Sequence, residues 1–174
     1  MNLFSVIKRA WRSKGFGIHS PFAFYFITRV LRERLPYYAF AQIEEQGTEE
    51  MPVRHLLTIF RIVCYFAPEV ITLPVSAPIT VRDTLKLADS RIRLIHEPSR
   101  FQCLSGDMPR DEFRYLAGHV IKDGGVLVIY RPGEEGDFIK DALTCGMTFT
   151  NGNASMMVVN VRRDLPRQDF IVNF

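Results

Sequence analysis

Apolar residues recur at helical spacing through the first third of the chain and at strand spacing after Pro68. Leu3, Phe4, Ile7 and Trp11 predict an amphipathic helix over about residues 2–13, which Gly15 and Gly17 end. Ser20 followed by Pro21 is a helix start, because the hydroxyl can accept from orphan amides and proline's missing N–H costs nothing in the first turn. The helix it opens should reach about Glu33 and bury Phe22, Phe26, Ile27, Val30 and Leu31. A shorter helical piece around Tyr38–Glu45 and a longer helix from Pro52 to about Phe66 complete this part. Beyond Pro68 the pattern predicts strand Val70–Val75, helix Ile79–Ala88, strand Arg91–His96, short strand Phe101–Ser105 and helix Pro109–Ile121. The almost wholly apolar Val126–Tyr130 reads as a strand covered on both faces. Helix Gly136–Cys145 follows, then strands Met147–Thr150 and Met156–Val161 around Asn151-Gly152-Asn153, a hairpin signal, and a last edge strand at Asp169–Phe174.

Strands alternating with helices and ending in an antiparallel hairpin predict an α/β fold, a mostly parallel sheet flanked by helices. Residues 1–67 read as an N-terminal helical segment and residues 68–174 as the sheet-bearing body, together one compact domain. One length is awkward. Only Pro98, Ser99 and Arg100 separate the second and third strand candidates, about 10 Å of chain. A parallel crossover takes a dozen or more residues, so one of the two strands is expected to pair differently.

Composition narrows the class. At 174 residues, with 24% charged and 47% apolar residues, the chain can bury a real core, and disorder is disfavoured. Basic residues interrupt every apolar run before bilayer-spanning length, and the N-terminus lacks signal-peptide order. Cys64, Cys103 and Cys145 are odd in number and widely spaced, as expected of reduced thiols in the cytoplasm. None of His19, His55, His96 and His119 stands at zinc-ligand spacing from a cysteine pair, so no metal site is expected. Charge is uneven: residues 1–34 carry seven basic residues against one acidic, a net +6, while the remainder carries −3. That suits either an anionic partner or the solvated face of packed helices, and the modest overall basicity makes nucleic acid the less favoured partner. Fourteen phenylalanines, eight of them before residue 67, predict self-association if the N-terminal helices expose an apolar face.

Three stretches carry a family likeness. Lys14-Gly15-Phe16-Gly17-Ile18-His19-Ser20-Pro21-Phe22, then Tyr37-Tyr38-Ala39-Phe40-Ala41-Gln42-Ile43-Glu44, and finally Met157–Phe174 resemble the class I S-adenosylmethionine-dependent methyltransferase-like proteins of Bacteroidetes. The likeness extends over Pro109–Arg131. It implies a doubly wound, Rossmann-like sheet with a terminal antiparallel hairpin. It also implies a cofactor, S-adenosylmethionine, seated on a glycine-rich turn after the first strand, because only glycine lets backbone amides approach a ligand so closely.

In this chain the corresponding segment is Leu73-Pro74-Val75-Ser76-Ala77-Pro78-Ile79-Thr80, and residues 48–105 contain no glycine at all. Two prolines delete amide donors there. The residual cofactor-binding candidates are Ser76, which could cap the following helix, and Glu97, at the strand end where the family places an acid for ribose hydroxyls. A solvated strand end explains Glu97 equally well. The catalytic candidates are Asp107, matching the family's acidic residue after the fourth strand, and His19 as a general base or phosphate contact. Their structural alternatives are a helix N-cap for Asp107 and a hydrogen-bonded pin for His19. The short link at 98–100 further implies that a helix–strand–helix block of the family pattern is missing.

The expected function is a degenerate methyltransferase-like module for binding or assembly, with cofactor binding weak or lost. The alternatives are an active methyltransferase on a small-molecule or other acceptor, and a binder of anionic surfaces or nucleic acid through the basic N-terminus.

Overall fold

The computed structural model describes residues 18–33 and 35–174. The expected helix over residues 2–13 lies outside them. Ser20 caps α1 (Pro21–Tyr25) as the sequence anticipates, its hydroxyl accepting from the Ala23 amide at 3.2 Å. The helix does not continue as α-helix to Glu33. From Phe26 to Leu31 it widens into a π-helical turn, closed by the Arg32 amide on the Ile27 carbonyl. The wider turn directs Phe26, Ile27, Val30 and Leu31 inward together, and all four are buried.

Helices α2 (Phe40–Glu44) and α3 (Val53–Phe66) follow, then β1 (Val70–Thr72), α4 (Ile79–Ala88), β2 (Arg93–Ile95) and β3 (Phe101–Ser105). The rest is α5 (Arg110–Asp123), β4 (Gly125–Tyr130), α6 (Gly133–Ala142), β5 (Met147–Asn151), β6 (Met156–Val161) and β7 (Gln168–Val172). Helix α6 starts three residues before the expected Gly136, because the Gly136 amide already reaches the Pro132 carbonyl. The hairpin signal holds, with a turn longer than Asn-Gly alone. The Ala154 amide closes onto the Asn151 carbonyl at 2.7 Å, and Ala154 takes the left-handed conformation.

The seven strands form one sheet in the order β2-β1-β3-β4-β6-β5-β7, and β6 alone runs against the others. Side-chain alternation divides two cores. Ile71, Phe101, Cys103, Val126, Val128, Tyr130 and Val158 face α1 to α4, whereas Leu104, Leu127, Ile129, Met157 and Val159 face α5 and α6.

The short link between β2 and β3 resolves through register. Both strands pair in parallel with β1, one on each side of it, but β3 meets β1 only at Thr72↔Gln102, the level at which β2 ends with Thr72↔Ile95. The chain therefore need not return the length of a strand before climbing again, and the crossover rule does not apply. Residues 96–100 cross β1 directly. The Thr72 hydroxyl donates to the Glu97 carbonyl at 2.7 Å, and the Thr72 amide donates to Ser99 Oγ at 3.1 Å. Gln102 Nε2 fixes the crossing from below, donating to the Ser99 carbonyl and to the Leu116 carbonyl of α5. Shortening follows: β1 stops at Thr72 instead of Val75, and β2 spans three residues instead of six.

Candidate functional site

In an open parallel sheet a ligand crevice forms beyond the carboxyl ends of the strands, where connections leave in opposite directions. Here the chain leaves β1 toward β2 and leaves β3 toward β4, so that point lies between β1 and β3. One lip is the 73–78 turn and the other the 105–109 turn. Ser76 and Asp107 lie on these two turns, which leave neighbouring strands, and Glu97 follows the end of β2.

His19 does not join them. Phe22, three residues on, lies under the Arg162 guanidinium at 5.9 Å. Arg162 follows Val161, which pairs with Gly125 at the start of β4, while Asp107 pairs with Arg131 just past its end. The length of β4, about 17 Å, separates the two levels. His19 is exposed and makes no hydrogen bond or ion pair among the described residues, so the pin expected of it is not seen there.

Neither capping role is realised. The N-cap of α4 is Pro78 and that of α5 is Pro109, and no side chain caps either helix. Ser76 is an exposed turn residue, with the Ala77 amide spent on the Pro74 carbonyl at 3.0 Å. Val81 and Arg82 both direct their amides to the Pro78 carbonyl. His96 lies over the end of β1, its Nδ1 2.9 Å from the Leu73 carbonyl, and since a carbonyl only accepts, that nitrogen carries the proton. The 73–78 turn departs from the glycine-rich cradle that the resemblance implies for S-adenosylmethionine. It has no glycine, its two prolines offer no N–H, and the amides of Leu73 and Ala77 are engaged with the Ile95 and Pro74 carbonyls. Glu97 is exposed, and its backbone carbonyl is tied to Thr72.

Asp107 is held by Arg131, whose Nε lies 2.8 Å from its carboxylate. Arg131 occupies φ +50°, and Gly106 has the 131–132 backbone so close that any Cβ there would overlap the Arg131 carbonyl oxygen. The two loops at this end are thus locked together. Next to Arg131, the phenol of Tyr130 is buried and its pKa raised, first by burial and then by its neighbour Cys103, whose own thiol burial pushes up to about 12.

A second polar group at this end was not singled out as functional in the sequence. His55, in the first turn of α3, is buried, and its Nε2 lies 2.9 Å from Ser155 Oγ. Ser155 donates to Asn153 Oδ1 at 2.6 Å, which leaves its oxygen to accept from Nε2–H. Nδ1 is then an unprotonated, buried nitrogen without a partner among the described residues. The signal was available: His55 falls on the same helical stripe as Ile59 and Ile62. The arrangement pins the β5–β6 turn to α3.

Burial, and secondarily Arg54, lowers the His55 pKa below its ordinary value. The unfolded chain therefore binds a proton that the folded one refuses, and stability is fully present above the unfolded value of about 6.5 and falls as pH drops below it. Urea midpoints at pH values of about 7.5 and 5.5 should differ more for the native chain than for His55→Gln. Equal pH dependence of the two proteins would remove His55 from this role.

Among the described residues, no group of three or more His, Cys, Asp or Glu side chains is placed to hold a metal ion, and no helix is long and apolar enough to cross a membrane. Compared with known proteins, the chain matches no family model, no curated sequence and no solved structure.

Proposed function

We propose that this protein is a degenerate methyltransferase-like module that has given up S-adenosylmethionine and works in the cytoplasm by binding or assembly. The observation that carries the reading is the β1–α4 turn, where Pro74 and Pro78 replace the glycines that a cofactor's close approach requires. The direct crossing at 96–100 supports it, because it stands where the family resemblance would put a helix–strand–helix block and one side of an adenine pocket. Asp107, the acid that the resemblance singles out, is paired with Arg131. Three free thiols suit a reducing compartment.

Calorimetric titration with S-adenosylmethionine and S-adenosylhomocysteine tests it. The expected result is no saturable heat up to about 1 mM ligand, a free energy weaker than about −4 kcal/mol. Micromolar binding would overturn the proposal and favour the active methyltransferase, and its loss in a folded Glu97→Ala variant would place the ribose on Glu97.

A further inference from the structure

A polar cleft of about 580 Å³ opens at the end of the sheet opposite the crevice between β1 and β3. Pro98, Ser99 and Arg100 of the crossing segment form one wall, His119, Asp123 and Gly124 at the end of α5 form another, and Arg163 after β6 completes it. The wall at 98–100 is the last part of the direct crossing from β2 to β3.

Its charge is cationic in a specific way. Arg100 and Arg163 are exposed, come from different elements, and pair with no carboxylate among the described residues; Arg163 reaches only the Lys122 carbonyl, at 3.5 Å. Among the described residues Asp123 is the sole acid in the lining, and it is faced by His119 Nδ1 at 3.7 Å. Some surface arginines are matched, Arg91 with Asp89, Arg131 with Asp107 and Arg162 with Asp164, and others such as Arg29, Arg54 and Arg93 pair with no carboxylate among the described residues; Arg100 and Arg163 differ from those in lining one cleft together. Two unmatched guanidiniums converging on one cleft present the planar, forked donors that suit phosphate oxygens.

We propose that this cleft binds a phosphate-bearing anion, with Arg100 and Arg163 as the two contacting side chains. The site is independent of the reading given for the carboxyl-end crevice, and a failure of either leaves the other standing.

The experiment uses the full chain, the variant Arg100→Gln/Arg163→Gln, and two probes, inorganic pyrophosphate and a single-stranded oligonucleotide, at several salt concentrations. Both substituted residues are exposed, and circular dichroism checks that the variant is folded. A small phosphorylated ligand is indicated if pyrophosphate binds and the double variant loses about tenfold or more in affinity. A nucleic-acid backbone is indicated if the oligonucleotide binds and the double variant lowers the slope of log K against log salt by about 1.4, two phosphate contacts on a single strand. The proposal is overturned if neither probe binds the native chain. It is equally overturned if the double variant keeps the native affinity and salt slope, since the N-terminal stretch would then account for any binding.

Discussion

Replacing Phe26 by alanine is expected to cost about 3–5 kcal/mol of unfolding free energy, the largest effect of any single side-chain truncation considered for this protein. The ring is completely buried and touches four others, with centroids 5.7 Å from Phe22, 5.6 Å from Tyr65, 5.7 Å from Phe66 and 4.9 Å from Phe149. Those rings belong to α1, the last turn of α3 and β5, so one side chain fastens the N-terminal helices to the sheet. Phe66 extends the cluster to Phe101 at the start of β3. Such a loss is a large part of the roughly 5–15 kcal/mol that holds a domain together, and Phe26→Leu provides a folded comparison with an expected cost below about 1.5 kcal/mol. Urea unfolding gives the test. A midpoint shift of under about 1 kcal/mol for Phe26→Ala would mean that the ring cluster does not fasten the helices.

The second large effect comes from backbone. Gly125→Ala should destabilise by about 3 kcal/mol or more, since Gly125 takes φ +145° and a Cβ would overlap the carbonyl oxygen of Arg100. That carbonyl accepts from the Val126 amide at 2.8 Å, a bond that holds the crossing segment against β4. Displacing it should loosen residues 98–100 and the cleft they wall. Gly118 is the internal control. It lies within α5, a Cβ there meets nothing within 4 Å, and Gly118→Ala is expected to stabilise by about 0.5–1 kcal/mol. Opposite signs for the two substitutions would locate the effect in the close approach. Equal, small effects would reject it.

The architecture was readable because burial imposes a period on the sequence. Val126–Tyr130 reads as an apolar strand because α/β packing covers both of its faces, and Ile79–Ala88 reads as a helix because its inward residues recur at helical spacing. Ser20-Pro21 announces its helix by chemistry local to the cap. The π-helical turn at Phe26–Leu31 had no such signal, and the rings that Phe26 meets there, Tyr65, Phe66 and Phe149, are distant in sequence. The capping roles expected of Ser76 and Asp107 failed for a related reason. Spacing from a proline identifies which residues are near a helix start, while the side chain's partner depends on neighbours distant in sequence, as Asp107 shows with Arg131.

For the site, the sequence alone determined what cannot be changed by folding: the turn after β1 has no glycine, and its prolines carry no amide. It also determined the uneven charge, with the excess of basic residues near the N-terminus. Tertiary structure decided where these properties act. It placed His19 and Asp107 at opposite ends of the sheet, joined His55 to Ser155 across 100 residues, and set Arg100 and Arg163 around one cleft. It also let β2 and β3 share β1, because pairing register, a relation between strands, is not encoded in the length of the link that joins them.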